Sequence, residues 1–165
     1  MSDVLTKAKR SEVMSRIRSR GNRATELALA KLFRRHKITG WRRHVKIQMT
    51  GGRRQVTGKA PVSAVSPTRR HRPFAVRPDF VFPRLKLALF VDGCFWHGCP
   101  RHATHPKNNR GFWRRKLLGN RTRDLLVNGA LRRANWRVLR IWECALEQRP
   151  QACLRRVQKW LSVEN

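Results

Sequence analysis

The chain has 165 residues, 40% of them hydrophobic, and sets 39 Lys and Arg against 9 Asp and Glu, a net charge of +30. That hydrophobic fraction excludes disorder throughout, and the length favours one domain with a core of its own. The charge argues against a neutral small-molecule enzyme: so basic a surface repels itself, and a polyanion is the simplest partner, nucleic acid before membrane.

Residues 1–22 are polar and basic with sparse apolar points at Val13, Met14 and Ile17. They read as a basic arm, either a floppy charged segment or one that orders on a phosphate backbone. They lack the apolar core of a signal peptide. No apolar run approaches the roughly 20 residues that span a bilayer, so cytoplasmic residence is expected. From Thr25 to His36 the spacing of Leu27, Ala28, Ala30, Leu32 and Phe33 predicts a helix, with Asn22 or Thr25 as N-cap and Glu26 in its first turn, where a carboxylate suits the helix dipole.

Trp41 to Ile47 reads as a first strand. Residues 48–76 then break every pattern, with Gly51-Gly52, three prolines, five arginines and no acid. They read as a long basic insertion loop, functional or disordered. Two strands follow, 78–82 and 85–91, joined at Pro83-Arg84 in a hairpin. A long helix is expected from Phe112 to Ala134, weakened in its second half by Asn128-Gly129. Trp136 to Trp142 alternates apolar and basic residues as a half-buried strand does, and a last helix spans Pro150 to Leu161. The order predicts an α/β or α+β layered domain over 23–165, preceded by the arm and interrupted at 48–76.

The chemistry is concentrated between Arg77 and His102, RPDFVFPRLKLALFVDGCFWHGCPRH. Cys94, Cys99 and His102 are soft or borderline ligands close enough to share a tetrahedral zinc ion. In a reducing compartment four cysteines point to metal or chemistry before disulfides. Cys144, directly after the strand WRVLRIWE, is the best fourth ligand and His105 its competitor; Cys153 on the last helix reads as packing. Asp79, at the start of one strand after Pro78, and Asp92, at the end of the next, together suit Mg²⁺, which prefers oxygen ligands and would polarise a phosphodiester. Their spacing is similar to the PD-(D/E)xK nuclease pattern, except that Cys94 stands where that pattern has lysine. His97 is the substitute, an imidazole able to activate water or protonate a leaving group. Phe95-Trp96, by composition, would be core; exposed, they would suit a wedge between base pairs.

At these residues the chain resembles the very short patch repair (Vsr) DNA mismatch endonucleases. The resemblance is carried by RPDFVF, FVDGCFWHGCPRH, FWRRKLLGNRTRD and NWRVLRIWEC, and by MSRIRSRGNRATELALAKLF near the start. It implies a restriction-endonuclease-like α/β core with a structural zinc, nicking one strand beside a T·G mismatch left by deamination of 5-methylcytosine. By position it implies Asp79 and the Val91 carbonyl as Mg²⁺ ligands and His97 as general acid or base. It also implies Asp92 as metal ligand or base partner, and Glu26 as an assisting acid. Cys94, Cys99, His102 and Cys144 match zinc ligands; Phe95, Trp96 and Met14 match the wedge that opens the duplex. The expected partner is double-stranded DNA with a T·G mismatch, together with other mismatch-repair proteins, for a monomer associated with a bacterial nucleoid. Residues 48–76 depart from the family, which reaches its Pro-Asp through a short loop. An insertion abutting Asp79 could shift a metal ligand and cost rate. A zinc-stabilised DNA-binding protein without catalysis and a restriction-type nuclease on matched DNA are the alternatives.

Overall fold

The computed structural model describes residues 26–49, 74–104 and 106–162. The arm with Met14, the caps Asn22 and Thr25, residues 50–73 and His105 lie outside the described residues.

The organising strand is β5, Leu87–Asp92. Its sequence, LALFVD, is buried along nearly its whole length, as expected of a strand covered on both faces. On one side it pairs antiparallel with β4, Phe80–Phe82, through Phe80↔Leu89 and Phe82↔Leu87. A one-turn 3-10 helix, Pro83–Leu85, and Lys86 at φ 44° make the turn. On the other side β5 runs parallel to β6, Arg137–Trp142, in register from Leu87↔Arg137 to Asp92↔Trp142. A parallel pair needs a long crossover. The long helix Arg110–Arg133 supplies it in one piece, so Gly129 does not break it. The short β1, Arg42–Arg43, extends the sheet beyond β4.

Strand alternation sorts the side chains onto two faces. Phe80, Phe82, Leu87, Leu89, Val91, Leu139 and Ile141 point one way and form a core with Leu29, Phe33, Leu154 and Val157. The last four belong to α1, Ala28–Arg35, and to the last helix, Pro150–Ser162. Val81 and Ala88 point the other way, against Ala130 and Leu131 of the crossover helix. Helices therefore cover both faces of a mixed sheet. By the same alternation Asp79, Asp92 and Arg140 lie on the face shared with the crossover helix.

Three expectations change. The strand read from Trp41 to Ile47 is broken: His44 sits at φ 53°, and the chain resumes as β2, Ile47–Met49. The stretch 48–76 is not loop throughout, because Phe74–Val76, β3, pairs antiparallel with β2 through Ile47↔Val76 and Met49↔Phe74. Its two ends are thus clamped together before the chain reaches Asp79. A six-residue helix, Glu143–Gln148, also follows β6 where no element was expected; six residues are too few for periodicity to register.

Phe80 is fully buried, with Phe33 at 5.3 Å and Trp41 at 5.5 Å between ring centroids. Phe80→Ala is expected to lower stability by about 3–5 kcal/mol, read as a shift of the urea unfolding midpoint without change of slope.

Candidate active site and metal centre

A cleft of about 640 Å³ opens at the end of β5 against the crossover helix, which we label α3; its lining includes Glu26, Asp79, Asp92, Trp96, His97 and Asp124. The chain has nine acids, and four of the six among the described residues line this one cleft. Basic side chains, Arg77, Lys116 and Arg123, share its walls.

Asp79 enters directly before β4. Its Oδ2 accepts a hydrogen bond from the Val91 N–H at 2.8 Å, which ties it to the last turnable position of β5. Burial pushes its pKa up to about 6; the nearby carboxylates of Glu26 and Asp92 add to this, and the Val91 N–H opposes it. Glu26 precedes the first turn of α1 and is buried. Its Oε2 lies 2.6 Å from Arg43 Nη2 and 3.0 Å from His44 Nε2, and the residue lines the cleft. Glu26, His44 and Asp79 offer ligand atoms within 4.8 Å of one another. Two hard oxygen donors with an imidazole beside them, one carboxyl raised by burial, are a donor set that a divalent cation fits.

His97 and Cys94 come from the helical turn α2, Cys94–His97, which follows β5 after Gly93. Glu143 Oε2 accepts from the Cys94 N–H at 3.2 Å and so satisfies the start of that turn. Gly98 ends it at φ 66°, where a Cβ would collide with the Arg121 guanidinium. Only glycine fits there, and the reversal lets His97 face the cleft while Cys99 faces the opposite way. His97 Nδ1 lies 2.6 Å from Asp124 Oδ2 and 3.8 Å from Asp92 Oδ1. Burial opposes ionisation of Asp124, but the bond to His97 and the charge of Arg140 outweigh it and hold its pKa below the usual carboxylate range. Asp92, buried, pairs with Arg140 through two bonds of 2.6 and 2.7 Å.

The parallel register ends at Asp92↔Trp142, and Cys94 and Cys144 stand two residues beyond the ends of their strands, on the helical turns that follow. Cys94, Cys99, His102 and Cys144 bring their ligand atoms within 4.8 Å of one another. Cys99 Sγ is 3.8 Å from Cys144 Sγ and 3.9 Å from His102 Nδ1. Tetrahedral zinc–sulfur bonds of about 2.3 Å set sulfurs roughly 3.8 Å apart, the separation found between Cys99 and Cys144, so this donor set suits such an ion. Burial opposes the Cys99 thiolate, yet bonds from the Arg101 N–H and His102 bring its pKa down to about 6. Burial pushes Cys94 up to about 12. Cys153 packs in the core, as expected of it.

Phe95 and Trp96 are half-buried and stack edge-on at 5.0 Å, with Trp113 at 5.3 Å from Phe95. They are neither core nor free, and Asn120 Nδ2 donates to the Trp96 carbonyl at 3.0 Å. Reading along the chain missed Asp124, Arg140, Glu143 and His44. Asp124 was visible only as an acid on a basic helix. In a chain with nine acids that scarcity was the one available signal.

A carboxyl with its folded pKa raised to about 6, against about 4 unfolded, binds its proton more tightly when folded, so its contribution to stability falls as pH rises through that window. In Mg²⁺-free buffer, Asp79→Asn is expected to stabilise the protein by about 1–3 kcal/mol above about pH 7. The gain should vanish below about pH 4 in urea unfolding across that range.

Comparison with known proteins completes this picture. Residues 68–102 match the family model described as DNA mismatch endonuclease Vsr. The type II nicking enzyme V.NmeDIP of Neisseria meningitidis serogroup C is 31% identical over 159 residues, 95% of this chain and 88% of its own length. The type II nicking enzyme V.NaeI of Lentzea aerocolonigenes is 53% identical over 68 residues, a match that spans 41% of each chain. The DNA mismatch endonuclease Vsr of Escherichia coli is 35% identical over 96 residues, 53% of this chain and 60% of that one. With a relative matched along nearly the full length of both chains, and with the family model falling on the strands and turn that build the cleft, this chain belongs to the Vsr family of DNA mismatch endonucleases.

Proposed function

We propose that the protein is a Mg²⁺-dependent endonuclease that nicks one DNA strand beside a T·G mismatch, on a restriction-endonuclease-like core with a structural zinc. The observation that carries the reading is the His97–Asp124 pair, 2.6 Å apart, opening onto the same cleft as the partly buried Asp79. The relatives' names, a DNA mismatch endonuclease and type II nicking enzymes, support the reaction class.

Asp79, Glu26 and the Val91 carbonyl are the residues that would hold Mg²⁺. A hard cation there supplies positive charge to the phosphate as the new P–O bond forms and the old one breaks. With Nδ1 engaged by Asp124, His97 Nε2 is the nitrogen that takes a proton from water or returns one to the leaving oxygen. Asp92, held through both oxygens by Arg140 and 3.8 Å from His97 Nδ1, stands beside the His97–Asp124 pair, which favours a supporting role there over metal ligand for it. Arg77, Lys116 and Arg123 line the walls where phosphates would run, and Arg suits them bidentately. Phe95 and Trp96, backed by Trp113, are the wedge beside the mismatch, with Met14 of the arm. Cys94, Cys99, His102 and Cys144 form a closed zinc site with no open position, hence structural.

Asp79→Ala is expected to lower nicking of a T·G duplex in Mg²⁺ by about 10³-fold or more, with DNA affinity changed by less than about threefold. Retained nicking would move the metal elsewhere, and double-strand cuts in a matched control would favour a restriction-type nuclease. Cys99→Ser should reduce the zinc measured by mass spectrometry and lower the unfolding temperature. A zinc content equal to wild type would take Cys99 out of the site.

A further inference from the structure

Two carboxylates compete for the one Nδ1 of His97: Asp124 holds it at 2.6 Å and Asp92 stands 3.8 Å away. What separates them is Arg140. Its Nε and Nη2 bind the two oxygens of Asp92 at 2.6 and 2.7 Å. Nη2 also reaches Asp124 Oδ1 at 3.0 Å, and Nη1 donates to Asn128 Oδ1 at 3.1 Å. Its guanidinium lies 4.9 Å from the centroid of Phe90. Four of its five N–H groups are thereby spent within the protein, which leaves little to offer a phosphate. The side chain is also largely buried, 21% exposed.

We propose that Arg140 is a positioning residue for His97: by occupying both oxygens of Asp92 and tethering the far oxygen of Asp124, it assigns the His97 Nδ1–H to Asp124 and leaves Nε2 for chemistry. The inference rests on His97 as the proton-moving group of the proposed nuclease. Asp124 sits on α3 and Asp92 on β5, so the two carboxylates approach His97 from different elements. A hydrogen bond from the histidine to one or the other would turn its ring differently. Arginine alone has the planar fork that engages one carboxylate with two parallel bonds and still reaches a second. Lysine, a point charge, keeps the field but not the fork.

The test has a structural arm and a kinetic arm. With nitrogen-15-labelled histidine, the wild-type protein should show one hydrogen-bonded Nδ1–H resonance for His97. Asp124→Asn should shift it strongly and Asp92→Asn little. The reverse pattern would overturn the assignment without any Arg140 variant having to fold. Arg140→Lys should broaden or split that resonance, and one left sharp and unmoved would overturn the proposal. In nicking assays Arg140→Lys should lower kcat by about 10- to 100-fold, part of the factor a positioned acid or base supplies, with KM and DNA affinity within about twofold. The double variant Asp124→Asn with Arg140→Lys should be no slower than Asp124→Asn alone, since both act through one histidine. Independent, multiplying losses, or a loss appearing in DNA affinity, would mean that Arg140 touches DNA directly and would overturn the proposal. If wild-type protein nicks no duplex, the nuclease reading fails by itself, and the resonance still decides whether Arg140 sets the histidine.

Discussion

The pairing of β5 with β6 is the constraint on which the rest depends. Because it is parallel and in register from Leu87↔Arg137 to Asp92↔Trp142, both strands end at the same edge of the sheet. Everything chemical is hung on that edge. Asp92 meets Arg140 across the ladder, Cys94 meets Cys144 just beyond it, and Glu143 caps the turn that carries His97. An antiparallel pairing would have sent the WEC segment to the far end of the sheet and left the cysteines without a fourth ligand. The crossover that parallel strands require is itself put to use, since α3 returns Asp124 and Asn120 to the cleft.

Electrostatics gives the cleft its character. In a chain of net charge +30, an acid at the surface would be well solvated and well countered almost anywhere. These acids are gathered and partly buried instead; burial and the neighbouring carboxylates raise the pKa of Asp79, while His97 and Arg140 outweigh burial and hold that of Asp124 down. Two are already balanced from within, Glu26 by Arg43 and Asp92 by Arg140. Asp79 is not balanced by so close a partner in the described residues; its carboxyl is held by a backbone N–H and raised by burial. A site with internal counter-charges for its neighbours and a carboxyl raised by burial is one whose donors a divalent cation fits.

The two described ends of the stretch 48–76 are joined by the β2–β3 pair, Met49 opposite Phe74, and Ala75 and Val76 of the second end line the cleft. Asp79 is then fixed by contacts of its own, to Val91 through its side chain and to His44 through its carbonyl at 3.3 Å. Among the described residues no helix is long and apolar enough to cross a membrane, and the charge remains an affair of polyanions.

Local sequence carried far in this protein. Short apolar runs gave up both strands of the hairpin, alternation gave β6, and period-3.6 spacing located three helices, because each such helix buries one regular stripe. The cluster of Cys94, Cys99, His102 and Cys144 was legible too, since three of the four lie within nine residues and metal chemistry restricts the residue types. Contacts between distant segments were not legible: which carboxylate holds His97, what balances Asp92, and that Glu26 turns inward to Arg43 and His44. Such pairings depend on register and crossover, which join residues 17 to 49 positions apart and leave no periodic trace. By itself the sequence determined which residues could do chemistry and on which elements they ride; only the tertiary structure decided which of them meet, because parallel strand pairing, not proximity along the chain, sets their distances.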